Sequence, residues 1–170
     1  MDSTNRLVIF MLGLEHMYLG QLEESLKYFN QYVNRIKTLE GSFGLESFKI
    51  GYAFWVNGFK EEAESYFNMG FEYHNDMLES DRNRSNFTLY FDLAAIYAFL
   101  EDKEKAFENL RLFNQRQRMP FYMIKDIKND PLFDSIREES EFQQIVRDME
   151  TKYQAEHERV RQWLEENDIL

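Results

Sequence analysis

Apolar residues recur at spacings of three and four along most of the chain, with no strand-like alternation of apolar and polar positions. This period is that of an amphipathic α-helix. Glycines and short polar runs interrupt it at intervals and indicate where helices end. The pattern predicts an all-α chain. Its first six helices are predicted over residues 5–19, 21–39, 45–57, 59–79, 87–100 and 103–118.

Two segments of the chain repeat each other without a gap. YLGQLEESLKYF, residues 18–29, superimposes on VNGFKEEAESYF, residues 56–67. Each has a glycine, then acidic residues, then a small residue followed by Tyr-Phe. The small residue is Ser25 in the first copy and Ala63 in the second, which gives a period of 38 residues. Repeats of this length indicate helical hairpins that stack on one another.

A third, weaker copy is FLEDKEKAFENL, residues 99–110. Ala106 takes the small position, 43 residues after that of the second copy. Glu101 replaces the turn glycine, and Asp102 is predicted to cap the following helix. The six helices are therefore predicted to form three hairpins.

These hairpins resemble tetratricopeptide repeats. In that family the first helix carries a large residue, a Leu-Gly-type pair and an aromatic, and the second carries a small residue followed by an aromatic. The matching residues are Ile9, Leu12, Gly13, His16, Gly20, Ser25 and Phe29; then Ile50, Gly51, Phe54, Gly58, Ala63 and Phe67; then Tyr90, Leu93, Ala94, Tyr97, Ala106 and Leu110. The resemblance implies a right-handed α-solenoid of three degenerate repeats over residues 1–119, with a role in binding other proteins.

The repeat pattern ends at Pro120. Asp130 before Pro131 is predicted to begin a helical segment, and Ser140 with Gln143 forms a capping-box pattern for a helix that runs to about residue 166. The order Asp-Pro-x-Phe, Ile-Arg, Glu-Phe resembles the segment that closes tetratricopeptide arrays in some larger bacterial regulatory proteins. The resemblance implies that residues 120–170 are a helical capping extension of the same domain, and that the chain is the C-terminal part of a longer protein.

The first helix of each hairpin carries a second apolar strip beside its packing face. In peptide-binding members of the family this concave inner face is commonly polar, whereas here it is nearly all apolar. An open strip of this kind reaches the size of patch that a soluble monomer rarely exposes. Eight residues of the strip are predicted to bind a partner: Phe10, Leu14, Met17, Phe48, Tyr52, Trp55, Phe91 and Phe99.

Three occupants of this strip stay open at the level of sequence. The first is the chain's own segment 120–170, and the second is another copy of the chain, paired through the strip or through the final helix. The third is a helix or peptide of another protein, or an apolar small molecule in a cavity behind Phe48, Tyr52 and Trp55. The preferred interpretation is a scaffold or regulatory arm that binds a protein partner; a self-associating structural domain is the alternative, and a small-molecule binder is a further one.

Net charge limits the classes of partner. The chain of 170 residues has 20 Lys and Arg against 31 Asp and Glu, a formal charge of −11. Such a surface repels phosphate backbones and anionic lipids, so neither nucleic acid nor membrane is expected as a partner. There is no cysteine, and no apolar run approaches the roughly 20 residues of a membrane span. A cytoplasmic protein is predicted.

Candidate chemistry is sparse. His16, His74 and His157 are far apart in sequence and match no metal-binding motif. Adjacent acidic pairs point about 100° apart on a helix, so they do not converge on one substrate atom. No phosphate-binding glycine loop or nucleophile motif occurs. The sequence therefore predicts no enzyme, no cofactor and no metal site.

Overall fold

The computed structural model describes residues 5–39, 43–44, 46–79, 88–116 and 120–169. All regular secondary structure in these residues is helical, which confirms the all-α prediction. The six predicted helices begin and end within two residues of their expected bounds, except that the sixth ends at Asn114. The α-helices are α1 (Arg6–Tyr18), α2 (Leu22–Thr38), α3 (Ser47–Val56), α4 (Lys60–Glu79), α5 (Leu89–Phe99), α6 (Lys103–Asn114), α7 (Phe121–Asn129) and α8 (Ser140–Glu166).

The chain divides into two compact units, residues 1–92 and 93–170, with the boundary inside α5. In the first unit α1 packs against α2 and α3 against α4, and α2 also packs against α3. In the second unit α5 pairs with α6, and α8 packs against both α6 and α7. The three antiparallel helix pairs confirm the predicted hairpins. The right-handed solenoid and the division at residue 119 stay predictions.

Close helix packing explains the small residues of the repeat. A Cβ atom added at Gly13 would lie 2.7 Å from the ring of Phe29, and one added at Gly51 would lie 2.5 Å from the ring of Phe67. Both glycines therefore admit an aromatic ring from the partner helix. In the first hairpin the buried Ser25 hydroxyl also donates to the carbonyl of Gly13 at 2.9 Å. The repeat positions read from the sequence are thus the hairpin contacts.

The first helix of every hairpin ends in the same backbone motif. At the end of α1, Gly20 N–H donates to the carbonyl of Met17 and Gln21 N–H to that of His16. This pair of bonds satisfies carbonyls at the helix end and requires a residue in the left-handed region. The ends of α3 and α5 repeat the pattern. The left-handed residues are Gly20 (φ +71°), Gly58 (φ +91°) and Glu101 (φ +62°).

The predicted cap at Asp102 is confirmed, because its carboxylate accepts from Lys105 N–H at 3.2 Å. Asp130 likewise caps a turn, accepting from Leu132 N–H at 3.1 Å. That turn is a short 3₁₀ segment, Pro131–Phe133. The sequence analysis placed no helix over α7, which precedes it.

Arg137 satisfies the end of α7. Its guanidinium donates to the carbonyls of Lys128 and Asp130, the latter at 2.8 Å, and to the carboxylate of Asp134 at 2.6 Å. Unpaired carbonyls at a helix end need such donors. The Ile-Arg element of the C-terminal motif is therefore a structural tie between α7 and the turn that follows it.

The capping box predicted for α8 is wrong. Ser140 is the first residue of the helix rather than its cap, and Glu139 occupies the cap position without a side-chain hydrogen bond. The Gln143 side chain instead donates to the carbonyl of Arg137 at 2.7 Å. The preceding tight turn, rather than a local side-chain cap, therefore sets the start of α8.

Candidate partner-binding surface

The predicted site residues divide into two groups of four by exposure. Met17, Phe48, Tyr52 and Phe91 are buried. Phe10, Leu14, Trp55 and Phe99 keep part of their surface exposed. All eight lie on the first helices of the hairpins, as the repeat pattern predicts.

Phe48 shows how the buried group is enclosed. Its ring stacks on His74, with centroids 4.8 Å apart, and meets Phe71 edge-on at 5.1 Å. A Cβ atom added at Gly70 would lie 2.4 Å from this ring. The space beside Phe48 on α4 is therefore filled by packed side chains, as in an ordinary helix–helix core.

Phe10 and Trp55 combine internal contacts with exposure. The ring of Phe10 lies 5.5 Å from that of Phe29 and 5.2 Å from that of Tyr32, both on α2. The indole of Trp55 carries the ammonium of Lys60 at 3.5 Å from the ring centroid. These contacts fix the orientation of both rings, which reduces the entropy that a partner's binding would cost.

A surface pocket of about 370 Å³ lies beside Phe10 in the first unit. Apolar side chains from α1 and α2 form part of its wall, and charged groups stand at its edges. Its lining residues are Arg6, Leu7, Phe10, Tyr32, Ile36 and Glu46.

The pocket's polar side is a hydrogen-bonded pair. The Tyr32 hydroxyl donates to Glu46 Oε1 at 2.7 Å. Burial, with this bond and the negative charge of Glu46, raises the pKa of Tyr32, although the charge of Arg6 acts in the opposite direction. Tyr32 therefore stays a neutral donor at neutral pH. The pocket presents one acidic group, one basic group and an apolar wall.

Sequence reasoning identified Leu7 and Phe10 as part of the apolar inner strip but missed the other four lining residues. Tyr32 and Ile36 lie near the C-terminal end of α2, and Glu46 precedes α3. Only the fold places them beside the first turn of α1. The one signal available in the sequence is that Tyr32 and Ile36 continue the apolar stripe of α2 beyond the repeat match.

Two expected absences of chemistry can be compared with the described residues. Within them, no three or more His, Asp or Glu side chains are placed to hold a metal ion. His16 stacks on Tyr28 with ring centroids 5.1 Å apart, and His157 lies on α8 with its ring 6.1 Å from that of Tyr153. Among the described residues no helix is long and apolar enough to cross a membrane.

Comparison with known proteins supports one repeat directly. A family model for the tetratricopeptide repeat matches residues 8–37, the hairpin of α1 and α2. No curated protein and no solved structure has significant similarity to the chain. The tetratricopeptide repeat is a motif of protein-interaction scaffolds, and no catalytic family matches.

Proposed function

We propose that the chain is a non-catalytic interaction module that binds a helix or peptide of a protein partner through the exposed side chains of α1 and α3. The contact residues are Phe10, Leu14 and Trp55, and an apolar side chain of the partner enters the pocket lined by Leu7, Phe10 and Ile36. The pocket beside Phe10 is the observation that carries this proposal, since binding sites are concave, mostly apolar and edged by a few polar groups.

The polar edge of the pocket gives the partner its specificity. The carboxylate of Glu46 accepts a hydrogen bond from Tyr32 and has further lone pairs for a partner's N–H or ammonium group. With a net charge of −11, the chain attracts basic partners at long range. We therefore propose a partner segment with an apolar anchor residue and a nearby basic residue.

Broader parts of the proposal rest on resemblance. The C-terminal motif around Pro131 and Arg137 is similar to segments that close repeat arrays in bacterial regulatory proteins. We propose on that ground a cytoplasmic scaffold or regulatory arm, with residues 120–170 as its capping extension. Self-association is the competing function, and the exposed Val160 and Trp163 of α8 favour that helix as its interface.

Peptide selection tests the pocket. A displayed library of peptides is selected on the wild-type chain, and the affinity of selected peptides is measured by fluorescence anisotropy. The variant Leu7→Glu places a carboxylate at the pocket wall, on a side chain that is 63% exposed, so the core is left intact. Leu78→Glu, at another exposed leucine on a helix, is the matched control.

We expect Leu7→Glu to weaken the selected peptides by tenfold or more, because a charge without a partner opposes burial of an apolar side chain. Trp55→Ala should weaken those peptides that extend onto α3, since buried aromatic anchors dominate interfaces. Peptides that bind both glutamate variants as they bind the wild type would contradict the proposal, as would failure to select any peptide.

A further inference from the structure

The structure contains a second surface on α1, which the pocket does not use. The 38-residue repeat makes each residue of α1 equivalent to one of α3. Two hydrogen bonds mark the face of α3 that lies against α2: Tyr32 donates to Glu46, and the Asn57 amide donates to the carbonyl of Leu22 at 3.1 Å. The equivalent residues of α1 define its end face, which consists of Val8, Met11, Leu12, Glu15 and Leu19.

The two equivalent faces differ in exposure. On α3, Lys49, Ile50 and Ala53 are between 0 and 7% exposed. On the end face of α1, Met11 is 47% exposed, Leu12 36% and the turn residue Leu19 68%. The same positions of the repeat are therefore buried where a second-type helix precedes them and exposed where none of the described residues covers them.

We infer that the end face of α1 docks an amphipathic helix from another protein, in the way that α2 lies against α3. The interface already present between α2 and α3 specifies the class of occupant, because the end face repeats the α3 face one step earlier. An apolar stripe suits Met11, Leu12 and Leu19, and close contact between two helices buries such stripes efficiently.

Charge defines the occupant further. Glu15 is the one charged residue of the end face, and the whole chain carries −11. A second copy would bring another −11 to the contact, whereas a neutral or basic helix is attracted to it. The occupant is therefore a helix with an apolar stripe and neutral or basic flanks.

The probe for this inference is a synthetic peptide of residues 21–39, which contains α2 with its flanking residues. It has three basic and two acidic side chains, a charge of +1, and as α2 it is the helix that lies against the equivalent face of α3. Binding to the full chain is followed by fluorescence anisotropy of the labelled peptide, up to about 1 mM chain. Two variants are compared. Leu12→Glu alters the end face, and Leu112→Glu alters a leucine of α6 with almost the same exposure, 37% against 36%.

We expect saturable binding that Leu12→Glu weakens by tenfold or more and that Leu112→Glu leaves unchanged. Circular dichroism checks that both variants fold. If Leu12→Glu does not fold, Leu19→Glu replaces it, because Leu19 lies in the exposed turn. The Leu7→Glu variant should bind the probe as the wild type does, which separates this surface from the pocket.

Three results would overturn the inference. The first is the absence of binding over the whole concentration range. The second is binding that Leu12→Glu does not weaken, which would mean that the peptide displaces α2 or binds elsewhere. The third is a doubled mass of the chain alone that Leu12→Glu abolishes, since a second copy would then be the occupant.

Discussion

His74 is a buried titratable residue in the core between α3 and α4. Its Nδ1–H donates to the carbonyl of Gly70 at 2.7 Å, and its ring stacks on Phe48. Asp92 Oδ2 lies 4.0 Å from Nε2, beyond hydrogen-bond distance. Burial therefore dominates and lowers the pKa of His74 below its ordinary value of 6.5, although the bond to Gly70 acts in the opposite direction.

This burial makes stability depend on pH. Below pH 6.5 the unfolded chain takes up a proton at His74 that the folded chain does not bind. The free energy of unfolding should thus fall by up to about 1.4 kcal/mol per pH unit as the pH drops from 6.5. The His74→Asn variant removes this titration and keeps an amide donor for Gly70. Urea unfolding between pH 5 and 8 measures both proteins.

The difference in unfolding free energy between wild type and His74→Asn should be constant above pH 7 and shrink below 6.5, as the wild type loses its advantage. Subtracting the two profiles cancels the carboxylates, which titrate in both proteins. Parallel profiles over the whole range would show that His74 does not titrate differently in the folded and unfolded chains.

Phe48 shows what sequence patterns leave out at the residue scale. Its position on the inner strip of α3 follows from helical spacing and predicts an exposed binding residue as well as it predicts a core residue. Only Gly70, on the other helix of the hairpin, leaves room for the ring to be buried. That contact depends on the register of α3 against α4, so the exposure of Phe48 could not be predicted from its own neighbours.

At the scale of elements, the end of α5 differs chemically from the equivalent ends of α1 and α3. Glu101 holds the left-handed position at φ +62°, where the other two helices have glycine. A Cβ atom in this conformation costs about 1–2 kcal/mol. Glycine removes this strain but gains about 0.5–1 kcal/mol of conformational freedom in the unfolded chain.

Glu101→Gly should therefore raise the free energy of unfolding by about 0.5–1 kcal/mol, the difference between these two effects. Glu101→Ala keeps the strain and should change stability little, so it controls for loss of the carboxylate. The reverse change, Gly58→Ala, meets no atom within 4 Å and should destabilise through backbone strain alone. Urea unfolding at constant pH compares the three variants. A Glu101→Gly variant less stable than the wild type would disprove the strain.

Helix prediction succeeded where the signals are local and failed where they are not. The first six helices have turn glycines or caps within a few residues of their ends, and their bounds followed from these signals. The nine residues of α7 carry only three buried apolar positions, and no side chain caps the helix start. Its final carbonyls are paired by Arg137, which follows a separate turn. A contact of this kind is invisible to a local pattern.

At the scale of the whole molecule, the final helix sets the question of self-association. All apolar residues of α8 lie on one face, and the buried ones end at Met149. Beyond Tyr153, whose ring contacts Phe121, the same face continues with the exposed Val160 and Trp163. The stripe that builds the core of the second unit therefore extends past the residues that cover it.

Size and charge together decide against a stable dimer through this stripe. Specific interfaces bury at least about 1,200 Å² in total, whereas the end of α8 offers a few exposed side chains on one helix. Each copy also carries −11, and like charges oppose association. We therefore expect light scattering to give the chain mass of 20.7 kDa at all concentrations in the micromolar range. A truncated chain of residues 1–154 should keep its fold, because its buried residues are intact, and it too should be monomeric. A doubled mass that persists on dilution and disappears in the truncated chain would instead make α8 an interface between copies, and would favour the self-associating domain over a partner-binding module.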